Sequence, residues 1–189
     1  MTVTSTDIAN EAILLMGGNQ DPVTGVAPLF DSSTNGKALR YLYAPCVAMV
    51  SRQFAWDFAR NTVSLVASGN TPPQPWTYEY VYPANTVQVW QVMPATITDP
   101  YNPLPTNWTV ANNVVSGSQA RVIQTDVASA KAVINNNPTE DTWDSDFRAA
   151  VVRLLASELA IATAGKPETS KLSLDTGMGF LEIAKTRDS

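Results

Sequence analysis

Histidine is absent from the 189-residue chain, and cysteine occurs once, at Cys46. The lack of histidine excludes every Ser-His, Cys-His and His-metal site, and with them the commonest general base. A single cysteine cannot form an intramolecular disulfide, so the chain has no disulfide framework of the secreted type. We therefore expect no metal, no cofactor and no catalytic residue, and we interpret Cys46 as a small core residue.

Charged residues are also scarce, at 15% of the chain, where about a quarter is usual. The formal net charge of −5 leaves no basic field that could hold nucleic acid by counterion release. No apolar run approaches the roughly 20 residues of a membrane-spanning helix, and residues 1–8 lack the features of a signal peptide. With 44% hydrophobic residues, we expect a soluble, folded protein made in a cytoplasm.

Four stretches carry apolar residues at helical spacing. The first runs from Thr4–Thr6 to Met16, the second from Asp31 or Ser33 to Trp56, the third from Asn137 or Asp144 to Ala164, and the fourth from Ser170 to Lys185. Pro45 is expected to kink the second helix or split it in two. Gly177 and Gly179 each cost about 1 kcal/mol relative to alanine, so the fourth helix is expected to be marginal without a docking partner.

Between the second and third helices the apolar period changes from 3.6 to 2. Short strands are predicted at Thr62–Val66, Trp76–Tyr82, Thr86–Val92, Trp108–Ala111, Arg121–Thr125 and Lys131–Ile134. Asn112–Asn113 fits a tight hairpin turn, and the short spacing favours antiparallel pairing. We predict an α+β protein in which residues 1–60 and 135–189 form a helical bundle of about four helices, interrupted by an antiparallel β insertion over residues 61–134.

The β segment has an unusual composition. No lysine or arginine occurs between Arg60 and Arg121, the only acids there are Glu79 and Asp99, and eight of the 13 prolines lie there. Proline can protect exposed sheet edges in place of charge. Alternatively, neighbouring subunits cover this surface, because protein interfaces are depleted of charged residues.

Two further patterns have a structural and a functional interpretation. Glu140, Asp141, Asp144 and Asp146 form the densest acidic cluster, which is typical of the first turn of a helix but could supply the acid and base of a glycoside hydrolase. Trp76, Tyr78, Tyr80 and Tyr82 alternate along one strand. Such a face packs on the helical bundle or stacks against sugars.

Several motifs, in the same order over nearly the whole chain, resemble the head-to-tail adaptor, or tail tubular protein A, of short-tailed bacteriophages. The matching segments are Asp7-Ile8-Ala9-Asn10-Glu11-Ala12 with Leu15-Met16-Gly17, Tyr43-Ala44-Pro45 with Gln53-Phe54-Ala55-Trp56-Asp57-Phe58-Ala59-Arg60, Trp76-x-Tyr78-x-Tyr80-x-Tyr82-Pro83-Ala84-Asn85, and Trp143-Asp144-x-Asp146-Phe147. Asn85 replaces the family's commoner Asp at the turn. The signature positions are Asn10, Tyr43, Trp56, Phe58, Tyr80, Pro83, Asp144 and Phe147. In that family these are fold positions and not catalytic ones.

The resemblance implies a structural virion protein that sits at the head–tail junction and is assembled in the cytoplasm of a bacterial host. It would form a ring of twelve copies under the portal protein and join the portal to the tail nozzle or tube protein. The ring would line the channel through which genomic DNA leaves, without binding the DNA specifically and without contacting a membrane. The negative net charge fits this role, since like charge keeps the duplex from adhering to the channel.

A docking hypothesis follows from the glycine-weakened last helix. The segment from Leu172 to Ile183 would order against the portal and bury apolar side chains there. The candidate portal-docking residues are Leu172, Leu174, Met178, Phe180, Leu181 and Ile183.

Two other functions stay open. Some relatives have been ascribed lytic activity toward polysaccharide, and a hydrolase of the cell wall or capsule would use the acidic cluster. A carbohydrate-binding module would use the aromatic strand instead, and it requires that Trp76 or Tyr80 be exposed to solvent.

Overall fold

The computed structural model of the protein describes residues 2–17, 21–97 and 106–187. The described chain holds four α-helices and six strands, which confirms the α+β prediction. It divides into two compact units: Met1–Phe58 together with Pro138–Ser189, and Ala59–Asn137. The first unit is helical and the second is made of strands.

The helical unit is built around its third helix. Helices α1 (Ser5–Leu15), α2 (Thr34–Ser51) and α4 (Pro167–Arg187) each pack against α3 (Ser145–Ala164). The predicted apolar stripe of α3 is buried throughout, at Phe147, Val151, Leu154, Leu155 and Leu159. A helix that is apolar around most of its surface is central because every face needs a partner.

The ends of these helices follow from local chemistry. Thr4 and Asp7 form a reciprocal capping box at the start of α1, with the Thr4 N–H 2.8 Å from Asp7 Oδ2. Ser33 caps α2 by accepting from the Gly36 N–H at 3.0 Å. Gly165, at φ 58°, ends α3 in the left-handed conformation that glycine adopts without strain.

Helix α2 is not split at Pro45, which was one of the two outcomes expected there, and its predicted end near Trp56 is wrong. It continues through Pro45 and ends at Ser51. Pro45 leaves the carbonyl of Tyr41 without its intrahelical donor, and both side chains lie on the exposed side of the helix. Water can satisfy that carbonyl, which is why the helix tolerates the proline.

The β unit contains two antiparallel three-stranded sheets. The strands are β1 (Arg60–Ser64), β2 (Tyr78–Val81), β3 (Thr86–Pro94), β4 (Trp108–Val115), β5 (Ser118–Thr125) and β6 (Ala130–Asn136). Their order is β1-β6-β3 in the first sheet and β2-β5-β4 in the second. A shared core of Tyr80, Val89, Val92, Ile123, Ala130, Ala132 and Ile134 draws residues from both sheets.

The predicted turn at Asn112–Asn113 is wrong. Both residues lie inside β4, paired with Arg121 and Ala120, and the hairpin turns at Ser116 and Gly117. These two residues have φ values of 50° and 82°. A two-residue hairpin turn requires positive φ at both positions, and Gly117 meets that requirement at lower cost than asparagine.

Candidate functional site

The residues that carry the family resemblance hold the fold together. The Asn10 side chain accepts from the Val23 N–H at 2.8 Å and donates to the Val23 carbonyl at 3.1 Å, which pins the loop after α1 to that helix. The hydroxyl of Tyr43, on α2, donates to Glu140 at 2.8 Å. Burial, together with this bond, raises the pKa of Tyr43 far above its usual value, so the phenol stays protonated.

Three further signature residues, Trp56, Phe58 and Phe147, meet in an aromatic cluster that also includes Trp143. Trp56, Phe58 and Trp143 all contact the ring of Phe147, with centroid distances of 4.9–5.1 Å and edge-to-face geometry. Phe147 is completely buried. Such pairs contribute about 0.5–1.5 kcal/mol each beyond the area they bury, so this cluster is a packing centre of the helical unit.

Tyr80 and Pro83 belong to the β unit. Tyr80 is buried in the shared core, and its hydroxyl donates to the Val127 carbonyl at 2.9 Å. Pro83 precedes a turn that ends at Asn85, whose φ of 57° is one that asparagine tolerates. The side chain of Tyr80 therefore packs in the β unit's own core.

The aromatic strand is therefore no flat stacking surface. Tyr78 is exposed, Trp76 precedes β2 and is half-buried, and Tyr80 is only 5% exposed. Tyr82 packs beneath the guanidinium of Arg121, 3.9 Å from its ring centroid. A sugar-binding role would have to rely on Tyr78 and Trp76, because Tyr80 is unavailable.

The acidic cluster is spread over three separate local environments. Glu140 accepts from Tyr43, Asp144 is the N-cap residue of α3, and Asp146 pairs with Arg187 at the end of α4. A recess of about 280 Å³ lies here, lined by Trp56, Asp144, Ser145, Asp146, Ala184 and Arg187. Asp144 accepts the Arg148 N–H through its backbone carbonyl at 2.9 Å, and its side chain makes no capping bond.

Helix α4 carries the candidate docking residues, and it is helical from Pro167 to Arg187. Helix α3 of the same chain supplies a packing surface for α4. Leu181 is only 1% exposed and is therefore not available for docking. Phe180 is half-buried under the guanidinium of Arg153, at 4.3 Å. The exposed candidates are Leu172, Leu174, Met178 and Ile183.

The two glycines of α4 have opposite roles. A Cβ at Gly177 would lie 3.1 Å from Leu154 Cγ and 3.2 Å from Arg153 Cβ, whereas a Cβ at Gly179 would meet nothing within 4 Å. Gly177 thus permits the close approach of α4 to α3. Gly179 only weakens the helix.

We predict opposite effects for substitutions at these two positions. Gly177→Leu should destabilise the protein by about 1–3 kcal/mol because the larger side chain overpacks the α3–α4 contact. Gly179→Ala should stabilise it by about 0.5–1 kcal/mol through helix propensity. Urea denaturation of both variants measures these changes in the free energy of unfolding. Equal losses at the two positions would contradict the assignment.

The β unit contains a buried carboxylate, Glu79, that the sequence patterns did not identify as a candidate site. Glu79, on β2, is 3% exposed and accepts hydrogen bonds from four neutral side chains. The donors are Ser68 Oγ at 2.8 Å, Asn70 Nδ2 at 3.0 Å, Asn113 Nδ2 at 3.0 Å and Gln124 Nε2 at 3.0 Å. We call these five residues the Glu79 cluster.

These four hydrogen bonds stabilise the negative charge of Glu79. Burial raises the pKa of Glu79, but the bonds from Gln124, Asn113, Asn70 and Ser68 together outweigh it and leave the pKa below its usual value. The one sequence feature that could have pointed to this site is that Glu79 is the only charged residue in its strand. The four donors come from three segments far apart in the sequence, residues 68–70, β4 and β5, so no local pattern could identify them.

Cys46 is buried, as predicted for a core residue. Burial raises the pKa of the Cys46 thiol to about 12, so it is an inert side chain near neutral pH.

Comparison with known proteins adds no relative. No family model matches the chain, and no curated protein matches it significantly. Within the described residues, no helix is both long enough and apolar enough to cross a membrane. The described cysteine and acidic side chains also form no group of three or more that could hold a metal ion.

Proposed function

We propose that this protein is a structural subunit of a bacteriophage virion, a head-to-tail adaptor that assembles as a ring between the portal protein and the tail nozzle. The ring, of twelve copies by resemblance, would line the DNA exit channel at the head–tail junction. It would be assembled in the cytoplasm of the bacterial host. In this role the protein acts by forming interfaces and has no reaction to catalyse.

One observation carries the proposal. Of the described residues between Arg60 and Arg121, Glu79 is the only one with a charged side chain, and it is buried. The same segment exposes Val66, Tyr78, Val110 and Val114. A surface without charge that exposes apolar side chains is typical of the core of a subunit interface.

The positions of the signature residues also support the proposal. Asn10, Tyr43, Trp56 and Phe147 form loop-pinning or packing contacts. A subunit that acts by forming interfaces needs a rigid fold, and these contacts stabilise the fold. The exposed apolar residues of α4 supply a second surface for the portal, separate in sequence from the β unit.

The docking role of α4 can be tested with matched charge substitutions. Leu172 on α4 and Leu29 before α2 are 69% and 79% exposed, so Leu172→Asp and Leu29→Asp should each change stability by less than about 0.5 kcal/mol. If α4 faces the portal, only Leu172→Asp should weaken binding to purified portal rings. Equal binding by the two variants, measured by co-sedimentation with the rings, would contradict this role for α4.

Substitution of the acidic cluster separates the adaptor from a hydrolase. Asp146→Asn removes an exposed pair with Arg187, and we expect a stability loss below about 1 kcal/mol and unchanged ring formation. Asp144→Asn should behave in the same way. Release of reducing sugar from cell-wall or capsular polysaccharide by the unmodified protein, abolished by either substitution, would overturn the proposal in favour of the enzyme.

A further inference from the structure

Within the described residues, one sheet edge is open on each of the two sheets of the β unit. In the second sheet, the outer edge of β2 is covered by the chain itself, since Val81 donates to the Val66 carbonyl at 2.8 Å and Ser68 donates to the Glu79 carbonyl at 3.0 Å. In the first sheet, β3 has two register shifts along its length. Such irregularities disrupt an edge and protect it from pairing. The remaining edges are β4 and β1.

The hairpin geometry fixes which groups of β4 point outward. The two-residue turn makes Val115 and Ser118 the hydrogen-bonded pair that closes the hairpin. Bonded and non-bonded pairs alternate, so the N–H and C=O groups of Trp108, Val110, Asn112 and Val114 point away from β5. Val114 is covered, since its carbonyl accepts from Asn70 at 2.9 Å and its N–H donates to the Asn113 side chain at 2.8 Å. Trp108, Val110 and Asn112 have no such partner among the described residues.

The same argument applies to β1. Asn136 donates to the Ala59 carbonyl at 3.0 Å, and Leu65 donates to the Ala130 carbonyl at 2.9 Å. Every second residue between these points faces β6, so the backbone groups of Thr62 and Ser64 point away from the sheet. Both side chains are exposed, and within the described part of the chain no strand pairs with this edge.

A charged residue lies on these two edges only at Arg60, the first residue of β1. Strand β4 contains no charged residue, and β1 contains none after Arg60. Native proteins protect open edges with lysine, inward-pointing charges, proline or bulges. Two open edges that lack charge along β4 and over residues 61–64 of β1 therefore indicate that something covers them in the working assembly.

We propose that copies of this chain join by strand addition, with β1 of one copy lying along β4 of the next. This inference rests on the ring proposed above and identifies the surface that closes it. A second copy is the occupant that accounts for both edges, because each subunit offers one edge to each of its two neighbours. Pairing of β4 with β4 would leave β1 open and would stop at a dimer, whereas unlike edges form a heterologous contact that can close a ring.

Cross-linking of mixed chains tests which edges meet. In a Cys46→Ala background, a tagged Thr62→Cys chain is mixed with an untagged Asn112→Cys chain and treated with a short bismaleimide at high protein concentration. We expect tagged–untagged dimers to predominate, and a chain carrying both substitutions to give a ladder beyond the dimer. Thr96→Cys, at an exposed position outside both strands, serves as the matched control and should cross-link at background level. A majority of like–like dimers, or no excess over this control, would overturn the proposal.

Proline substitution tests the backbone bonds themselves. Asn112→Pro removes an N–H that points away from β5, so the β4–β5 ladder keeps its bonds. Asn112→Ala keeps that N–H and is the matched control. We expect the proline variant to reduce cross-linking about tenfold relative to the alanine variant, with an unchanged circular dichroism spectrum. Thr62→Pro and Thr62→Ala repeat the comparison on β1 if Asn112→Pro fails to fold.

The outcomes separate this inference from the function on which it rests. If rings form, as measured by native mass spectrometry of the chain alone or with portal rings, but the proline variants assemble like the unmodified protein, the strand addition is wrong and the adaptor proposal stands. If the chain forms no assembly under either condition, both fail.

Discussion

Replacing Phe147 with alanine should lower the free energy of unfolding by about 3–5 kcal/mol. The ring is fully buried at the start of α3, and its removal leaves a cavity next to Trp56, Phe58 and Trp143. These neighbours are large and are held on two segments of the chain, so they cannot close the cavity without moving backbone. A loss of this size approaches the total stability of about 5–15 kcal/mol that is typical of a domain.

The matched control for this prediction is Phe58→Ala. Phe58 belongs to the same cluster but is only partly buried, so its truncation should cost clearly less than that of Phe147. Urea denaturation followed by tryptophan fluorescence measures both losses. A cost below about 1 kcal/mol for Phe147→Ala would mean that the cluster is not the packing centre of the helical unit.

Glu79→Gln should destabilise the protein by about 2–4 kcal/mol at neutral pH. The substituted amide has nearly the same shape but one acceptor oxygen in place of two, and it points an NH2 group at donors from Asn113 and Gln124. Buried donors would then be left without acceptors, which costs more than the loss of an ordinary hydrogen bond. Glu79→Asp keeps the charge and is the control for loss of reach alone.

The cost of Glu79→Gln should also depend on pH. The folded pKa of Glu79 is lowered from its usual value near 4.5, so the carboxylate stabilises the fold above that value. This contribution is lost as the pH falls through the lowered folded pKa. The difference in melting temperature between the unmodified protein and Glu79→Gln should therefore be largest near neutral pH and shrink in acid. A difference that stays constant from neutral to acidic pH would show that the charge of Glu79 is not what stabilises the cluster.

The Glu79 cluster has a bearing on assembly. Asn70 bridges the cluster and β4, since its side-chain amide donates to Glu79 and also to the Val114 carbonyl. The cluster therefore holds the hairpin end of β4 in place and covers the outward carbonyl there. The open part of the edge is limited to Trp108, Val110 and Asn112, which sets the length available to a partner strand.

Much of the architecture could be predicted from local sequence patterns. Helix α3 was predictable because Phe147, Val151, Leu154, Leu155 and Leu159 repeat at helical spacing, and Gly165 with Pro167 ends the pattern. The change of period after Arg60 predicted the antiparallel strands. Such signals are local, since each depends on residues within one or two turns of the chain.

Other expectations depended on which elements meet. Gly177 and Gly179 look alike in the sequence, yet only at Gly177 would an added Cβ lie close enough to Leu154 to force that side chain to shift. Leu181 resembles Met178 as an apolar helix residue, but α3 already covers it. Asparagine is a residue type typical of turns, yet Asn113 lies in strand β4, where its amide donates a hydrogen bond to Glu79.

The sequence by itself determined the α+β class, the central helix, the lack of histidine chemistry and the scarcity of charge in the β segment. These are properties of composition and periodicity, which require no knowledge of distant partners. Only the tertiary structure decided that Glu79 is buried among four amide and hydroxyl donors, that Tyr80 belongs to the β core, and that no described strand pairs with the outer edges of β1 and β4. Burial and strand order are set by contacts between residues far apart in the chain, and local patterns carry no information about which of those contacts form.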